Sequence, residues 1–167
     1  MFLAVSLASS ATAAEPHLEF VRGLRSRGYY DVALEYLSEL AQRSDVPQDV
    51  LVVLPYERAV TLLEGANKLT VTKAKREQID AAQAALEQFV QSAPDHPLVA
   101  EAHTRRATIS KQRAQLELWD ADDPANVQNR QAYQTRAREL LLQARAITQQ
   151  ALPLHEQAVK AFPVPIP

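Results

Sequence analysis

The sequence predicts an all-α fold of antiparallel helical hairpins that stack on one another, and three observations support this. Only 3 of the 167 residues are glycine, and the common residues Ala, Leu, Glu, Gln and Arg are good helix formers. Val and Ile do not alternate in short runs, so strands are not expected. After Gly28, a stripe of Ala33, Leu37 and Leu40 recurs at helical spacing. A small residue early in such a stripe lets a neighbouring helix approach closely.

The first hairpin is predicted from residues 17–27 and 29–43. Its first helix carries Leu18, Phe20, Val21 and Leu24, which are predicted to form its apolar face. Gly28 is expected to end that helix, because glycine tolerates the left-handed backbone found after helix ends. Ser44 and Asp45 then offer a stop and a cap before the next helix.

The middle hairpin is predicted from residues 50–63 and 73–92. The segment 50–63 is strongly hydrophobic and contains Pro55. Its ring removes one hydrogen bond and clashes one turn back, so Pro55 either kinks this helix or divides it in two. The segment 73–92 has the pattern of a long amphipathic helix. The prolines at 94 and 97 are expected to end it.

The last hairpin is predicted from residues 98–119 and 125–152. Between them, Asp123 is expected to cap a helix that has Pro124 as its first residue. Trp119 is predicted to pack beneath this turn. Pro153 is expected to interrupt the second helix, leaving a short helix from 155 to 162. Residues 153–167 would then form this short helix and a Pro-rich tail or linker, with polyproline II favoured by the alternating prolines.

Residues 1–14 are uncharged and end in Ala11-Thr12-Ala13-Ala14, a pattern typical of a secretory signal peptide and its cleavage site. No Lys or Arg precedes the apolar run, a gap that a start codon assigned too far downstream would explain. The alternative is an Ala-rich helical extension. The run is shorter than the about 20 apolar residues of a membrane span. We therefore expect an exported protein of the bacterial periplasm or cell envelope, without a stable span.

A family resemblance follows from two segments. The positions that carry the first are Gly28, Tyr30, Asp31, Ala33, Leu34, Glu35 and Tyr36. They resemble the turn and second helix of a tetratricopeptide repeat, and residues 85–97 resemble the same helix and its exit. The two matches lie farther apart than the about 34 residues of one repeat, so the repeats are degenerate. The resemblance covers about half the chain and implies that residues 15–152 form a short α-solenoid, which would bind a peptide or protein segment in its concave face.

The resemblance also implies a binding site on the first helix, where Leu18, Arg22 and Arg25 would face the groove with Ser26 beside them. Two arginines one turn apart suit a carboxylate, because guanidinium donors match its geometry. The alternative is a solvated helix face. The later positions Glu101, Thr104, Thr108 and Lys111 would be comparable, with weaker support.

Other classes of site have little support. Cysteine is absent, which excludes disulfides and thiolate-bound metals. The four histidines are well separated, so no metal site is expected. Asp120, Asp122 and Asp123 lack the glycine of a calcium loop. The net charge is -2, with pI near 6.1, and the basic residues of 105–113 and 130–145 are interpreted as a solvated face without nucleic acid.

The sequence therefore predicts a non-catalytic protein–protein interaction module or scaffold, without a cofactor. The scarcity of glycine leaves no phosphate-binding loop, and no serine lies in a nucleophile motif. The alternative is that these residues form the amino-terminal structural segment of a larger exported protein whose function lies beyond residue 167. We expect no enzyme activity from these residues themselves, and an enzyme acting alone is a distant third hypothesis. Under the structural alternative, any active or binding part would lie beyond residue 167.

Overall fold

The structure, a computed structural model, describes residues 14–161. It contains six α-helices and one short 3-10 helix, and no strand occurs within that range. The elements are α1 (Ala14–Ser26), α2 (Tyr30–Leu40), α3 (Gln48–Ala66), α4 (Thr72–Ser92), α5 (Val99–Asp122), the 3-10 helix (Pro124–Asn129) and α6 (Arg130–Ala161). The all-α prediction is confirmed. The predicted signal peptide, except for Ala14, and the tail at 162–167 lie outside the described residues.

Consecutive helices pack against each other, and α1 also packs on α3. The α3–α4 pair is antiparallel, since the position of Gly65 near the end of α3 lies beside Gln78 near the start of α4. The α5–α6 pair is antiparallel as well: Thr104 Oγ1 lies 2.9 Å from His155 Nε2. The described residues thus include two antiparallel helical hairpins, α3–α4 and α5–α6.

Gly28 ends the first helical segment as predicted. Its φ is +82°, in the left-handed region where an L side chain is strained. The Gly28 amide donates to the Arg25 carbonyl at 2.9 Å, and the Tyr29 amide donates to the Leu24 carbonyl at 3.0 Å. These bonds satisfy carbonyls at the end of α1 and turn the chain into α2.

Neither internal proline divides a helix. Pro55 lies within α3 and Pro153 within α6, and both helices continue past them. The predicted interruption at Pro153 and the separate helix over 155–162 are therefore wrong. On either side of Pro153, Ala151 is buried and Leu154 packs against the core. The apolar spacing thus continues across the proline, and packing on α5 outweighs the lost hydrogen bond.

The described core has two parts. The smaller part joins α1, α2 and the start of α3, and it contains the predicted stripe of Ala33, Leu37 and Leu40. The larger part joins α3, α4 and α5. Its most fully buried large side chains, with 0% exposure, are Ile79, Leu86, Phe89 and Ile109.

Small residues line the contact between α5 and α6. The buried residues of α5 that lie outside the larger core are Ala100, Ala107, Ser110, Ala114 and Ala121, and the buried residues of α6 are Ala137, Ala144, Ile147 and Ala151. Small side chains allow two helix backbones to approach closely. Among the described elements, α6 packs on α5 and on the 3-10 helix, so the opposite side of α6 is left open.

A ladder of ion pairs joins α4 to α5. The partners are Arg76 with Glu117 at 3.0 Å, Asp80 with Arg113, and Glu87 with Arg106 at 3.7 Å. Arg136 of α6 adds a further contact to Glu117 at 2.7 Å. Several basic residues of the predicted solvated face are therefore paired with acidic residues of the same chain.

The turn before α6 differs partly from its prediction. Asp123 does cap the 3-10 helix, because its Oδ1 accepts from the Ala125 amide at 2.8 Å, and Pro124 is the first residue of that helix. Trp119, however, lies within α5 and is 51% exposed. The Lys75 ammonium lies 5.6 Å from its ring centroid. The prediction that Trp119 packs beneath the turn is wrong, because α5 extends to Asp122.

Candidate functional site

The four residues predicted to bind a partner all lie on α1, but in different surroundings. Leu18 is partly buried and packs against the smaller core. Ser26 is exposed, and its hydroxyl donates to the Gly23 carbonyl at 2.9 Å. The Arg25 side chain is only 10% exposed, whereas that of Arg22 is 60% exposed. Most of the Arg22 side chain is therefore accessible to solvent, and most of the Arg25 side chain is not.

The Arg25 guanidinium already contacts carboxylates of the same chain. Arg25 Nη1 donates to Glu57 Oε2, and Arg25 Nε lies 3.6 Å from Glu64 Oε2. Glu57 belongs to α3 and its side chain is 2% exposed. The arginine geometry expected for a partner's carboxylate is thus used within the fold, to join α1 to α3.

Glu57 is buried together with Thr61, which has 0% exposure. The Thr61 hydroxyl donates to the Glu57 carbonyl at 2.8 Å and so has its own partner within α3. A buried carboxylate without a cation costs several kcal/mol through desolvation. Arg25 supplies that cation, and Arg22 adds a weaker contact, with Nη2 3.7 Å from Glu57 Oε1.

A second polar cluster joins α3 to α5. Arg105 Nε donates to the Tyr56 hydroxyl at 3.1 Å, and Arg105 Nη2 donates to Glu101 Oε1 at 2.6 Å. Tyr56 is 5% exposed. Burial raises the pKa of Tyr56 to about 12, and its hydrogen bond with Arg105 opposes that shift. Burial would raise the pKa of Glu101, but hydrogen bonds with Tyr56 and Arg105 outweigh burial and lower it.

The protonation states at this cluster are therefore fixed near neutral pH. Tyr56 stays a neutral phenol because its pKa is about 12, and Glu101 stays ionised because its pKa is lowered. A general acid or base works best with a pKa near the operating pH, and the pKa values of Tyr56 and Glu101 are both shifted away from neutral pH. The cluster therefore suits a structural role or the binding of a polar group.

The histidines lie apart. His17 Nδ1 lies 2.6 Å from the Tyr36 hydroxyl, His96 stacks edge-on against Phe89 with 5.3 Å between centroids, and His155 contacts Thr104. Over residues 16–160, no three His, Asp or Glu side chains are grouped as a metal ion would need. The open cavity of about 330 Å³ beside the α4–α5 turn has mostly apolar lining, including Pro97, Val99 and Leu154.

Sequence reasoning missed Glu57 and Tyr56. Both lie inside the hydrophobic segment 50–63, where the apolar pattern drew attention to the residues around them. An acid within such a segment is itself a signal, because a charged side chain there must either reach solvent or find a cation.

Comparison of the chain with family models, curated proteins and solved structures found no match. Within residues 14–161, no helix combines the length and the apolar character that crossing a membrane requires.

Proposed function

We propose that this chain is a non-catalytic, tetratricopeptide-like interaction module that binds a peptide or protein segment along α1. The segment would carry a carboxylate, from an acidic side chain or a chain terminus, as its charged anchor. The observation that carries the proposal is the position of Arg22, which is 60% exposed beside the buried Glu57.

The charges around Arg22 support this choice of ligand. Arg25 lies much closer to Glu57 than Arg22 does, since the Arg22 contact is 3.7 Å long. Most donors of the Arg22 guanidinium are therefore available to a second carboxylate. A planar guanidinium can bind a carboxylate through two parallel hydrogen bonds. Glu64, with a side chain 42% exposed, lies near the same cluster and limits how strongly it attracts anions, so the ligand should need further contacts besides the ion pair.

The test is an array of short random peptides, each present with a free and with an amidated carboxyl terminus. We expect the bound peptides to share an acidic side chain or to require a free terminus. Fluorescence anisotropy of the selected peptides should show Arg22→Glu weakening binding about tenfold or more, because the substitution replaces attraction with repulsion.

Arg27→Glu is the matched control, since it makes the same change of charge at an exposed residue in the turn directly after α1. It should leave affinity within about twofold, as expected for a charge outside the contact. Peptides that bind equally well to the Arg22→Glu variant would refute this site. An array without any binder would refute the proposed function.

We further propose that the module is exported to the periplasm or cell envelope. The support is the uncharged segment ending in Ala11-Thr12-Ala13-Ala14, which has the pattern of a cleaved signal. Intact-mass measurement of the protein from its native host should give an amino terminus at Ala14 or Glu15. A retained residue 2 would contradict cleavage.

A further inference from the structure

The side of α6 that faces away from α5 carries a second stripe at helical spacing. Its members are Arg138, Leu142, Arg145, Gln149, Leu152 and Glu156, all of them exposed. Leu142 is 56% exposed and Leu152 is 57% exposed. Neighbours three and four apart lie on one face of a helix, so these side chains form one continuous surface. We call it the outer stripe of α6.

We propose that two copies of the chain associate through the outer stripes of α6, in antiparallel orientation. A two-fold axis passing near residue 147 places Leu142 of each copy opposite Leu152 of the other. The same axis places Arg138 opposite Glu156, and Arg145 opposite Gln149. The interface would contain two leucine pairs, with an arginine–glutamate pair at each end.

Charge complementarity is the argument for a second copy in this orientation. Within residues 16–160, neither Arg138 nor Glu156 is a partner in an ion pair, whereas many other charges of α4, α5 and α6 are paired. A parallel arrangement would set Arg138, Arg145 and Glu156 each against its own copy. Like charges across a helix pair are destabilising, and opposite charges select partner and orientation.

The length of the outer stripe of α6 determines how strongly we expect two copies to associate. From Arg138 to Glu156 the helix rises about 27 Å. A single pair of helices of this length forms an interface at the small end of the range for specific association. The flexible aliphatic stem of Arg145 allows its guanidinium to reach solvent at the edge of the interface. We therefore expect a reversible dimer with a dissociation constant in the micromolar range.

The experiment is sedimentation equilibrium of the full chain at about 5 to 200 µM, a range chosen to span a dissociation constant of that size. The unaltered protein should show a monomer–dimer equilibrium. Arg138→Glu and Glu156→Arg, made separately, should each weaken dimerisation about tenfold or more, since each creates two like-charge contacts.

The combined variant, Arg138→Glu with Glu156→Arg, restores opposite charges and should return the dimer to within about threefold of the original affinity. Lys68→Glu, which changes an exposed charge in the turn between α3 and α4, is the control and should leave the equilibrium unchanged. A chain that remains monomeric at the highest concentration overturns the proposal. So does a dimer that both single variants leave intact, or one that the combined variant fails to restore. Circular dichroism of each variant verifies that the helices are retained.

Discussion

Removal of Arg25 should expose how much the fold depends on pairing the buried Glu57. In Arg25→Met, the aliphatic stem is retained and the guanidinium is lost. The Glu57 carboxylate, 2% exposed, is then left with the more distant Arg22 at 3.7 Å. Breaking a buried pair in this way costs about 3 to 5 kcal/mol. Since Arg22 can move closer, we expect a loss near the lower end, about 3 kcal/mol in the free energy of unfolding.

Replacing both partners should cost less than replacing Arg25 alone. In the combined variant Arg25→Met with Glu57→Met, no buried charge remains without a partner, so we expect a loss of about 1 kcal/mol. Urea unfolding followed by circular dichroism at pH 7 gives the free energies for the single and combined variants. Arg22→Met is the control, and the loss of its 3.7 Å contact with Glu57, made from a side chain that is 60% exposed, should cost less than about 1 kcal/mol.

Two results would refute this reasoning. The first is an Arg25→Met variant that loses less than about 1 kcal/mol, the scale of an exposed pair. The second is a combined variant that loses as much as the sum of the losses in Arg25→Met and in Glu57→Met, each measured alone, since partners in one buried pair should not act additively.

Three further predictions concern the backbone and the Tyr56 cluster. Gly28→Ala should lower the free energy of unfolding by about 1 kcal/mol, because φ is +82° with open space around the position; an unchanged urea midpoint would contradict it. Pro153→Ala should raise the free energy of unfolding by about 2 kcal/mol, since a hydrogen bond is regained within α6, and a lowered midpoint would show that the proline is needed. The pKa of Tyr56 is raised from 10.0 to about 12, so its contribution to stability is complete below pH 10 and is lost as pH rises toward 12. Urea unfolding across this range should show that loss, and Tyr56→Phe should flatten it; an equally steep loss in Tyr56→Phe would contradict the assignment.

Local sequence features predicted the helices well where apolar spacing and turn chemistry agree. Ala33, Leu37 and Leu40 are buried as expected, and Gly28 and Asp123 end and begin helices as expected. The prediction at Pro153 was wrong because a proline weakens a helix only locally, by one hydrogen bond, whereas α6 packs on α5 on both sides of Pro153. The stacking of hairpins as a tetratricopeptide-like solenoid stays a prediction.

The candidate site was less predictable than the helices. Spacing alone placed Arg22 and Arg25 on one helix face, but it could not show that Glu57 lies between α1 and α3. That contact depends on how α1 packs against α3. Residue spacing within one helix carries no information about such packing. Burial of one arginine and exposure of its neighbour follow from the same tertiary contact.

The ion-pair ladder between α4 and α5 also limits how these helices can assemble. The charge changes sign along α4 from Arg76 to Asp80, and their partners on α5 are Glu117 and Arg113. If α4 slid by one helical turn in either direction, Arg76 would meet Arg113 or Asp80 would meet Glu117. In either case like charges would face each other and repel. Partly buried ion pairs between helices can thus decide which of several similar alignments a folding chain retains, apart from what they add to stability.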